Sequence, residues 1–70
     1  MRIPRFYHPD NVPLDQEFAL SDEAAHHAST VLRMKANQPV VLFNGDGNEY
    51  SGQIISVSRK EVMVEIDACL

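Results

Sequence analysis

Seventy residues make at most one domain with a marginal core, because small chains bury a smaller share of their surface. An apolar fraction of 44% and a mean hydropathy of −0.23 fit an ordinary globular chain and exclude a disordered tail. No apolar run approaches the roughly 20 residues needed to cross a bilayer, and the formal charge of −4 argues against a non-specific nucleic-acid binder, which is usually basic.

The opening Met1-Arg2-Ile3-Pro4-Arg5 has no apolar stretch behind it to act as a signal peptide. Arg2 and Arg5 flank Ile3-Pro4 in what reads as an extended arm, where alternate side chains face opposite ways. Phe6 to Leu14 reads as loop, since Pro9 and Pro13 bracket Asp10 and Asn11. Glu17 to Leu20 reads as a short strand. Ser21 then makes an N-cap, with Asp22 and Glu23 suited to the positive end of a helix dipole.

The helix is expected over residues 21–34. At 100° per residue, Ala24, Ala25, Ala28, Val31 and Leu32 share one arc, the expected buried stripe, and Asp22, His26, Ser29 and Arg33 lie opposite. After the helix the apolar period changes from 3.6 to 2. Asn37-Gln38-Pro39 marks the change and Val40 to Phe43 is a compact strand run. Asn44-Gly45-Asp46-Gly47-Asn48 is a hairpin turn with two glycines free to take positive φ. In Glu49 to Ser58 the apolar phase switches between Ile54 and Ile55, which predicts a bulge or a strongly coiled strand, as a small closed barrel needs. Ser58 to Glu61 is a second turn, and Val62, Val64 and Ile66 alternate with Met63 and Glu65. The whole reads as a mainly β fold with one helix: an extended arm over 1–15 and a β-barrel domain over 16–70.

Candidate functional groups are few. Cys69 has no partner for an internal disulfide, which fits a reducing cytoplasm, and no base or metal-ligand spacing surrounds it. A metal site from His8, His26 and His27 is disfavoured, because adjacent histidines on a helix diverge by about 100°. The Asn44–Asn48 loop lacks the downstream glutamate of a calcium loop. The basic residues cluster as Arg2 and Arg5, Arg33 and Lys35, and Arg59 and Lys60. They form a local patch if folding joins the arm to the helix end; otherwise they are solvated surface charge.

Arg2-Ile3-Pro4-Arg5-Phe6-Tyr7, then His27 with Val31-Leu32-Arg33-Met34, then Leu42-Phe43-Asn44-Gly45, resemble the N-terminal part of the small-subunit ribosomal RNA uracil-N3 methyltransferases over roughly residues 1 to 66. The resemblance implies a PUA-like β-barrel that engages RNA. It also implies a separate C-terminal SPOUT-class domain that binds S-adenosylmethionine, forms a homodimer and carries the methyl transfer to N3 of a uridine. Nothing in this chain resembles that second domain, so no catalytic residue and no cofactor is expected here, and the fragment alone is expected to be inactive. Its partners would be small-subunit ribosomal RNA and the methyltransferase domain, in the cytoplasm and away from membranes.

The residues singled out for RNA binding or for docking on that domain are Arg2, Arg5, Tyr7, His27 and Arg33. His27 lies four residues after Glu23, where a pair is feasible, and it is also a donor for RNA. Arg33 suits either the helix C-terminus or a bidentate phosphate contact. Phe6 and Tyr7 either stack on bases or pack into the barrel. A non-catalytic scaffold that docks without touching RNA is the alternative.

Overall fold

The computed structural model describes residues 3–58 and 61–69. Five strands form one sheet: β1 (Arg5–Tyr7), β2 (Glu17–Ala19), β3 (Pro39–Phe43), β4 (Glu49–Val57) and β5 (Val62–Cys69). The sheet order is β1-β3-β4-β5-β2, with β1 parallel to β3 and every other pairing antiparallel. A helix, α1 (Asp22–His26), continues as a π turn over His27–Val31.

The class is the predicted one, mainly β with one helix, but the sheet does not close into a barrel. β1 and β2 remain its two outer strands. They approach through side chains only, where the His8 ring tilts against Phe18 at 5.1 Å. His8 is 6% exposed, and its Nδ1 has no hydrogen-bond partner among the described residues. Phe6 and Tyr7, expected in a loop, belong to β1, because pairing with β3 holds them extended in register with Leu42 and Phe43.

The alternation expected for β5 is present: Val62, Val64 and Ile66 are fully buried, and with Leu42, Val40 and Ile54 they form the floor of the core. The phase switch in β4 is a pair of register shifts against β5, between Ser51 and Gly52 and between Ile54 and Ser56. Gly52 sits at the first of them, where the β5 backbone comes too close for a side chain.

Ser21 caps α1 as predicted, its hydroxyl accepting from the Ala24 N–H at 3.3 Å. Ala24, Ala25 and Ala28 face the core, and their small size lets the helix lie close on the sheet. The expected stripe fails beyond them: Val31 is 60% exposed and Leu32 43%. The π turn is the reason. An i→i+5 turn takes one more residue per revolution, so the phase lags and Val31 swings off the apolar arc. Leu32 donates its N–H to His27 O at 2.9 Å and ends the helix. The helix thus stops at Val31, short of the expected residue 34.

The hairpin turn at Asn44–Asn48 is present, with Gly45 and Gly47 at φ near +90°. Asp46 organises it. One carboxylate oxygen accepts from the Asn48 N–H at 2.8 Å, and the other accepts from the Tyr50 hydroxyl at 2.6 Å. The Tyr50 bond first, then the Asn48 amide, holds the Asp46 carboxyl below its ordinary 3.8. The same bond pushes Tyr50 above its ordinary 10.0. A depressed carboxyl contributes stability above its unfolded pKa and loses it as pH falls through the folded value. Acidification below about pH 4 is therefore expected to release the hairpin tip. Tyrosine fluorescence should report a change below that pH in the parent and none in Asp46→Asn.

Candidate nucleic-acid interface

Alternation along β1 decides what each of its side chains does. Phe6 turns inward and is buried, while Arg5 and Tyr7 face outward. The parallel register sets Tyr7 beside Phe43, and their rings meet edge-on at 5.8 Å and 62°, both exposed. Arg5 forms an ion pair with Glu49, the residue opposite Phe43 on β4. The two side chains are 59% and 38% exposed, so the pair is a weak, exchangeable one.

His27 stands where α1 passes into the π turn. Its ring does not pair with Glu23, as the spacing suggested, but packs edge-on against Phe6 at 5.9 Å and 71°. The buried Phe6 ring offers a π-face that a solvated glutamate, one turn back, does not. His27 remains exposed.

Two open grooves flank this contact. The larger, about 670 Å³, runs between β1 and the first turns of the helix, with Tyr7, Asp22, Glu23 and His26 on its walls. The smaller, about 360 Å³, is lined by Ile3, Pro4 and Leu32. Arg5, Phe6 and His27 line both, so they form the ridge between them. A third hollow, between Pro9–Asn11 and Asn44–Asp46, carries Asp10 and Asp46 and has the wrong sign for a phosphate.

Of the residues singled out from sequence, Arg5, Tyr7 and His27 therefore come together. Arg33 does not line either groove. It sits one residue past Leu32 in the left-handed region at φ 52°, the position that glycine usually takes after a helix, while Met34 donates its N–H to Ala28 O at 2.9 Å. It makes no hydrogen bond or ion pair with another described residue. Arg2, Arg59 and Lys60 lie outside the described residues. Sequence reasoning missed Phe43, Ile3, Leu32 and Glu49 as parts of this face. Only the β1–β3–β4 register and the early helix end bring them there.

No helix among the described residues is long and apolar enough to cross a membrane. No group of three or more His, Cys, Asp or Glu among them is placed to hold a metal ion.

Comparison with known proteins gives a consistent picture. The chain is 36% identical over 64 residues to ribosomal RNA small subunit methyltransferase E of Buchnera aphidicola, covering 91% of this chain and 25% of that protein. Among solved structures, a Legionella pneumophila protein described as a methyltransferase, with the cofactor SAM bound, superposes at a TM-score of 0.94 with 38% identity, over 100% of this chain and 29% of that one. A ribosomal RNA small subunit methyltransferase E from Neisseria gonorrhoeae, bound to S-adenosyl methionine, superposes at 0.89 with 29% identity, over 99% and 29%. The chain thus spans between a quarter and a third of the length of these relatives. Residues 20–67 match the family described as RNA methyltransferase PUA domain, and the chain belongs to that family.

Proposed function

We propose that this chain is the RNA-recognition domain of an enzyme that methylates N3 of a uridine in small-subunit ribosomal RNA, acting in the cytoplasm. Arg5, Tyr7 and His27 carry the RNA contact, and Arg2 and Arg33 assist at its margin. The observation that supports this reading most is the meeting of a cation, an exposed aromatic ring and an exposed imidazole around open grooves. These are the groups that bind unpaired RNA: a guanidinium for phosphate, rings for base faces, an imidazole for base edges.

Methyl transfer is assigned to the part of the longer relatives that this chain does not span, where S-adenosylmethionine would be held and a homodimer formed. The chain's own role is to present the RNA. A docking role on that methyltransferase domain, without RNA contact, has its own support in the net charge of −4 and in exposed Val31 and Leu32.

Titration with an unpaired segment of small-subunit ribosomal RNA at several salt concentrations separates the two. RNA recognition predicts binding that weakens linearly in log–log salt, and Arg5→Ala should lower that slope by about 1. Absence of binding at low salt, or an unchanged slope in Arg5→Ala, would leave the docking role.

A further inference from the structure

The geometry points to a site for two consecutive unpaired nucleotides, splayed across the Arg5–Phe6–His27 ridge with one base in each groove. This rests on the RNA-recognition reading above.

The ridge has the shape of a wedge. His27 stands edge-on to Phe6, not flat upon it, and so rises as a wall between the grooves. Its side chain makes no hydrogen bond to another described residue, which leaves its ring nitrogens available to a ligand.

Charge decides which part of a nucleotide goes where. Asp22 and Glu23 on the wall of the larger groove repel a phosphate but accept hydrogen bonds from the amino group of a base. Tyr7 on the same groove offers a ring for that base to stack on. The smaller groove is apolar apart from the ridge itself, with Ile3 and Leu32 both exposed, and suits the face of a second base with little discrimination among bases. Arg5 is the cation common to both grooves. The phosphate joining the two nucleotides therefore falls on the ridge, where it replaces Glu49 as the partner of Arg5. Exchange is easy because both side chains of that pair are exposed.

The test uses the chain with RNA hairpins that carry a bulge of no, one, two or three unpaired nucleotides, followed by fluorescence anisotropy. Affinity is expected to rise about tenfold from one bulged nucleotide to two and to level off at three, the scale of one stacked base. Leu32→Trp fills the smaller groove from an exposed position and should abolish that rise, while affinity for the single-nucleotide bulge stays within about twofold. His27→Phe keeps the wall and should keep the rise; His27→Ala should lose it. Circular dichroism establishes that each variant is folded. Equal affinity for every bulge, or a rise that continues past two, overturns the two-nucleotide site and leaves RNA recognition standing. Failure to bind any of these RNAs overturns both.

Discussion

Gly52→Ala should cost this domain about 3 kcal/mol or more, a large share of the few kcal/mol that hold a chain of this size folded. Gly52 lies in β4 between two partners, opposite Val40 on β3 and Ile66 on β5, directly after the first register shift. A Cβ built there falls on the Glu65 carbonyl oxygen and lies 2.7 Å from Ile66 Cα. Both obstacles are backbone in a hydrogen-bonded strand, so no side-chain rotation relieves them. β4 is bound on both sides and cannot step away without loosening two ladders. Gly47 provides the control. Its φ of +90° strains any L residue, yet nothing lies within 4 Å of its Cβ position. Gly47→Ala should therefore cost only about 1–2 kcal/mol, the penalty of a left-handed residue. Urea unfolding of both variants measures the difference as a shift in midpoint. A larger shift for Gly47→Ala than for Gly52→Ala would refute the close-approach account.

Those two glycines also mark how far the sequence carries. Gly47 was legible from its turn-forming neighbours, because a hairpin turn is local chemistry. Gly52 stood out only through the phase switch at Ile54 and Ile55, which announced a bulge but not what it abuts. The same division runs through the fold. Ser21, the β5 alternation and the Asn44–Asn48 turn depend on residues close in sequence, and all are as read. β1 was missed because three residues between prolines hold no alternation, and their extended form comes from a distant partner, β3. Val31 and Leu32 were placed in the core because a 100° step was applied past the point where the helix loosens to a π turn. The candidate interface divides likewise. Arg5, Tyr7 and His27 carried a family resemblance, whereas Phe43, Glu49 and Leu32 join them through register and through the early helix end. Arg33 looked like part of a helix face, but a left-handed backbone sets it beyond the helix.

Phe6→Ala should be the most damaging substitution on the functional face, with a stability loss of about 3–5 kcal/mol and no measurable RNA binding. Phe6 is the one side chain by which β1 enters the core cluster, at 6% exposure. β1 is otherwise held along a single edge by its short parallel ladder to β3, flanked by Pro4 and Pro9. Its removal leaves a cavity beneath an outer strand that has little else to retain it. The consequence for function follows from the same side chain: Phe6 carries the His27 ring, and its neighbours Arg5 and Tyr7 are aimed outward only while Phe6 points in. Loss of the anchor therefore scatters all three contact groups at once. Phe6→Leu separates anchoring from the ring contact. It fills most of the site and should cost only about 1–1.5 kcal/mol, keep β1 in the sheet and retain phosphate contact through Arg5, while losing the edge-on support of His27. Thermal unfolding and RNA titration of the two variants check this, with hydrogen exchange at the Phe43 and His8 amides reporting on β1. Wild-type protection of those amides in Phe6→Ala would mean that β1 is held by its backbone alone.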